Sequence, residues 1–151
     1  MKIRRGVIVL TLLVLAGCGT SHHRSSAAEW SSSATVVIDQ LRGDVLAVAG
    51  TDRVPVARAA LANDSQLYGL LVAFSDVAGC GHMVATLGLQ PARFVTAERL
   101  LTRACGPLGR AGALFTKATT RADPQALVAA VREAATALPF LDRARLALGT
   151  R

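Results

Sequence analysis

The chain is poor in aromatic residues, which make up 4% of its 151 positions: one tryptophan, one tyrosine and four phenylalanines. Strands favour aromatic and β-branched side chains, so this scarcity, set beside abundant Ala, Leu and Val, argues against a β-sandwich or barrel and for helices. There are three cysteines and no Cys-x-x-Cys, Cys-x-x-Cys-His or Glu-x-x-His pair, so the usual spacings of redox, haem and zinc sites are missing. No Gly-x-Ser-x-Gly elbow presents a nucleophile, and the glycines of Gly106-Pro107-Leu108-Gly109 are not followed by the Lys-Ser/Thr of a phosphate loop. The ten acidic residues stand singly, which leaves no paired carboxylates for hydrolysis. The expectation is therefore a protein that is not an enzyme and holds no metal or cofactor. What is present is bulk hydrophobicity. At 52% hydrophobic residues the chain is too apolar for intrinsic disorder, and its length fits one domain.

The N-terminus divides into three zones. Lys2, Arg4 and Arg5 precede the nine-residue apolar run Val7 to Leu15, which is followed by Ala16, Gly17 and Cys18. Nine residues fall well short of the ~20 that cross a bilayer and match the ~7–15 of a signal-peptide core. The ending Leu15-Ala16-Gly17-Cys18 resembles the lipobox of bacterial lipoprotein precursors. The resemblance covers only this export signal. It implies that Cys18 is acylated with fatty chains such as palmitate, that residues 1–17 are removed, and that the product is lipid-anchored to the outer face of the bacterial cell membrane. Removing residues 1–17 leaves 134 residues and lowers the formal charge from +7 to +4. Gly19, rather than Asp, follows the cysteine, so nothing argues for retention at an inner membrane.

Residues 18–34 carry six serines and almost no apolar periodicity, and read as a tether for a domain over 35–151. Trp30 falls within it, placed either to pack on the domain or to dip into the membrane interface. From Ala34 onward the pattern turns helical. Ala34, Ile38, Leu41, Val45 and Val48 form one stripe, ended by Gly50. Pro55 opens a short helix over 55–62, and Asp64 or Ser65 caps the next, with Leu67, Leu70, Leu71, Phe74, Val77 and Val84 on its buried side. Pro91 starts the longest helix, to about residue 120, whose seam runs Phe94, Ala97, Leu101, Ala104, Leu108, Ala111, Phe115 and Ala118. Asp123-Pro124 begins a last helix that Pro139 kinks or restarts. The predicted fold is all-α: a compact antiparallel bundle of about four main helices plus a short extra one.

With Cys18 acylated, Cys80 and Cys105 remain as an even pair in an oxidising compartment, which favours a disulfide. A regular hairpin centred near Gln90 would leave them five residues out of register, about 7.5 Å along the axis, so an interruption at Gly79-Cys80-Gly81 is expected. His82 with Cys80 and Cys105 could form three soft metal ligands, a reading that an intact disulfide excludes. His22-His23 stand in the serine-rich segment. Arg99, Arg103, Arg110 and Lys117 line one side of the longest helix and could face anionic headgroups, an anionic envelope polymer or another envelope protein. No stacking aromatics interleave them, which argues against nucleic acid. The expected activity is binding at the cell envelope. Its rival is an apolar-ligand carrier with a pocket between Phe74, Phe94 and Phe115.

Overall fold

In the computed structural model, which describes residues 26–149, a helix begins earlier than the serine content suggests. Ser26-Ala27-Ala28-Glu29 is a reciprocal capping box. The Glu29 N–H donates to Ser26 Oγ at 3.2 Å, and the Ser26 N–H donates to Glu29 Oε2 at 2.7 Å. Helix α1 therefore runs Ala27–Val48. The expectation of a tether extending to residue 34 is wrong over 27–34, because capping and the burial of Trp30 and Ala34 outweigh three weak helix-forming serines. The expected signal peptide, Cys18, His22 and His23 lie outside the described residues.

After a 3₁₀ turn at Ala49–Thr51, α2 (Val54–Leu61) begins with Pro55 in its first turn, where its missing N–H costs nothing. α3 (Asp64–Ala78) is capped by Asn63, whose side chain accepts from the Gln66 N–H at 2.9 Å, rather than by Asp64 or Ser65. α4 (Cys80–Thr86) follows at a 52° bend centred on Gly79. Pro91 leads into a 3₁₀ turn, Ala92–Phe94, and the longest helix, α5 (Val95–Arg121), starts only after it. A left-handed residue, Ala122 at φ 48°, ends α5. Asp123 then caps α6 (Pro124–Ala135), accepting from the N–H groups of Gln125 and Ala126. The chain turns at Thr136 and Ala137 and restarts as α7 (Leu138–Gly149), with Pro139 at the second helical position.

The result is an all-α bundle whose helices pack antiparallel. Gln40 of α1 bonds Asp76 of α3, whereas Ala47 and Val48 face Gln66, Gly69 and Leu70, so one chain rises as the other falls. On its other flank α1 is tied to α7 by Arg42–Asp142 at 3.0 Å and Arg145–Asp39 at 3.2 Å. These ion pairs are about half exposed and contribute at most ~1 kcal/mol each. α5 is central. Its seam, Ala97, Leu101, Ala104, Leu108, Ala111, Phe115 and Ala118, is buried as its spacing predicts. No charged or polar residue is buried among the described residues.

Two aromatic pairs hold the interior. Phe74 stacks on Phe115 with ring centroids 4.3 Å apart, and Trp30 stacks on Phe94 at 5.4 Å. Trp30 is 1% exposed and packs on the domain. Leu71, expected on the buried side of α3, is 46% exposed, because Leu70, Ala73, Phe74 and Val77 already form the inward stripe.

Candidate functional site

Cys80 and Cys105 stand at disulfide distance, with Cα atoms 5.3 Å apart. The pairing needs the break at Gly79. Phe74 meets Phe115, and a Cβ on Gly112 would lie 2.6 Å from that of Ala78, so α3 and α5 run in a register centred on residues 94–95 rather than on Gln90. Continued straight, α3 would carry position 80 past Cys105 toward residues 109–110. The bend turns α4 back and brings the two cysteines together. His82 beside them is exposed, and no cluster of three or more His, Cys, Asp or Glu occurs among the described residues.

The structure places Arg99, Arg103, Arg110 and Lys117 on the outside of α5, all exposed. Arg110 is engaged: its guanidinium lies 2.7 Å from Glu133 of α6. The ridge is thus one long stripe with its third charge paired across to the next helix.

Phe74, Phe94 and Phe115 are divided between two stacks, Phe74 on Phe115 and Phe94 on Trp30. Grooves are present at the surface. One runs between α1, α2 and α3, lined by Ala47, Val48, Val56, Ala60, Gly69 and Leu70. Another lies at the start of α1, where Ala28, Ser31, Ser32 and Thr35 meet Arg93, Phe94 and Leu148. The Arg93 guanidinium sits 4.6 Å over the Phe94 ring.

Sequence reasoning missed a polar cluster between α1 and α3. Gln40 Nε2 donates to Asp76 Oδ2 at 2.8 Å. Asp44, one turn after Gln40, is half-buried, and its Oδ2 has no hydrogen-bond partner among the described residues. Burial first, and the neighbouring Asp76 carboxylate second, push the Asp44 carboxyl above its ordinary value, against a hydrogen bond from Gln40. A signal was available, since position 44 sits three residues after Leu41 and one before Val45, on the shoulder of the buried stripe.

No known family model, curated protein or solved structure matches the chain. Its sequence and geometry therefore carry the functional reading alone. α3 supplies a further surface feature. Tyr68, Leu71 and Val72 are exposed at 70%, 46% and 49%, and form an apolar strip on the outer side of α3. No single helix among the described residues is long and apolar enough to cross a membrane.

Proposed function

We propose that this chain is the precursor of a bacterial lipoprotein, lipid-anchored through Cys18 to the outer face of the cell membrane, whose helical domain is a non-enzymatic binding module of the cell envelope. One observation carries the reading. Cys80 and Cys105 are placed to satisfy each other, which leaves Cys18, at the end of Leu15-Ala16-Gly17-Cys18, as the odd thiol available for acylation. The exposed strip Tyr68, Leu71 and Val72 supports a binding role, since apolar side chains gathered on one outer face mark interaction surfaces. The carrier alternative needs room between Phe74, Phe94 and Phe115, and the two ring stacks speak against it.

The test is processing of the full chain in a bacterial host. The parent protein should mature, partition into detergent and show an N-terminal peptide carrying acyl chains on Cys18. Cys18→Ser should accumulate as unprocessed precursor. A Cys18→Ser chain that matured normally and stayed membrane-attached would overturn the proposal.

A further inference from the structure

The orientation of the bundle at the membrane follows from the chain's own geometry, and it rests on the acylation of Cys18 proposed above. From Cys18 to Ser26 there are eight Cα–Cα steps, which reach no farther than about 29 Å even when fully drawn out. The first turn of α1 therefore stays within that reach of the headgroups, which makes the surface around it the end of the bundle nearest the anchor.

That surface is formed by the α4–α5 connection and the end of α7. Trp30, one turn into α1, stacks on Phe94, while Ala28 shares a groove with Arg93, Phe94 and Leu148. In the same connection Leu87 is buried, Gly88 takes φ +70°, and Leu89 emerges 65% exposed. Val95, the first residue of α5, is 42% exposed, and Arg93 is exposed between them. Two free apolar side chains and a guanidinium thus cluster at the end of the bundle where the anchor must arrive.

We infer that this end rests on the bilayer, with Leu89 and Val95 entering the headgroup layer and Arg93 donating to a lipid phosphate. Glu29 adjoins Trp30 and Glu98 adjoins Arg99, so acidic residues accompany the arginines at this end, and apolar entry, rather than attraction to anionic lipid, fixes the seating. Arg110 and Lys117 lie 11 and 18 residues beyond Arg99, about 16 and 27 Å farther along α5 at 1.5 Å per residue. Both distances exceed the ~8 Å over which exposed charges act at physiological salt. The far part of the basic ridge therefore points away from the membrane, with Arg110 held by Glu133 and Lys117 exposed to solvent.

The test uses the full acylated chain reconstituted into vesicles of phosphatidylethanolamine and phosphatidylglycerol. A small fluorophore is attached in turn at Leu89→Cys, Val95→Cys and Tyr68→Cys, the last lying near the start of α3 at the opposite end of the bundle. Labels at 89 and 95 should be quenched by spin-labelled lipid and shielded from aqueous iodide, and should stay so in high salt, whereas the label at 68 shows the reverse. Adding Leu89→Asp should abolish lipid quenching at 95. A protein that floats with the vesicles yet leaves position 89 as open to iodide as position 68 overturns the seating while the anchor stands. A protein that does not float with the vesicles overturns both.

Discussion

α3 and α5 face each other across the stacked rings of Phe74 and Phe115, yet their outer surfaces are opposites. Beyond its first residue, Val95, α5 gathers its large apolar side chains toward one seam and turns Arg99, Arg103, Arg110 and Lys117 to solvent. α3 is apolar inside and out, with Leu70, Phe74 and Val77 in the core and Tyr68, Leu71 and Val72 exposed. No Lys or Arg occurs from Ala59 to Ala92, whereas α5 alone carries five. A buried face can be read from sequence only where the other face is polar. α5 meets that condition and α3 does not.

The disulfide between α4 and α5 offers the largest way to break this pairing. Closing a loop of about 26 residues contributes about 3.5 kcal/mol in the chain-entropy model. The double variant Cys80→Ala, Cys105→Ala should lose about that much in urea unfolding of the full chain. A loss below about 1 kcal/mol would mean that packing alone holds α4 on α5, since removing a native disulfide commonly costs 2–5 kcal/mol.

Legibility followed the same division. The α5 seam, the Asp123-Pro124 start of α6 and the restart at Pro139 were readable because each rests on local rules: helical spacing, capping and the missing proline N–H. The break beside Cys80 was readable because a regular hairpin could not close the pair. Leu71 was misplaced because α3 gives no polar contrast. The start of α1 was missed although Ser26 and Glu29 spell out the capping box, since six serines outweighed one four-residue signal. The Trp30–Phe94 stack and the Asp44–Gln40–Asp76 cluster join residues 32 to 64 positions apart, and nothing local announces such pairings.

Glycines on α5 sharpen the contrast between its two faces. A Cβ at Gly112 would stand 2.6 Å from the Ala78 Cβ and 3.2 Å from its Cα, so the helices touch through their backbones there. Gly112→Val should force them apart and cost about 2 kcal/mol, within the ~1–3 kcal/mol typical of overpacking. Three residues earlier Gly109 is exposed with nothing within 4 Å, and Gly109→Ala should instead stabilise by up to ~1 kcal/mol through helix propensity. Thermal unfolding of the two variants should therefore move in opposite directions. A Gly112→Val chain as stable as the parent would show that α3 yields to α5.

The end of α5 carries a smaller conflict. Ala122 adopts φ 48°, a left-handed conformation that costs a residue with a Cβ roughly 1 kcal/mol and glycine little. Its N–H and that of Asp123 both donate to the Ala118 carbonyl, so the conformation is fixed by the cap. Ala122→Gly should raise stability by up to about 0.5 kcal/mol, the part of that cost not returned to the freer unfolded chain. Unchanged or lowered denaturant midpoints would place the strain elsewhere.

The smallest expected effect tests the polar edge of α3. Asp76 is its one charge beyond the first residue, and it shares Gln40 with the flank on which Asp44 lies. Burial and the Asp76 carboxylate hold the Asp44 carboxyl above its ordinary value of 3.8. The folded chain therefore binds that proton at pH values where the unfolded chain has released it, and stability from this group falls as pH rises through the interval above 3.8. Asp44→Asn removes the penalty. Its advantage over the parent should be absent at pH below that interval, grow across it and level off toward neutrality. Paired urea titrations over the acid range measure this difference directly and cancel the contributions of the other carboxylates. A constant offset between the two chains would show that the Asp44 carboxylate is as well solvated in the fold as in the unfolded chain.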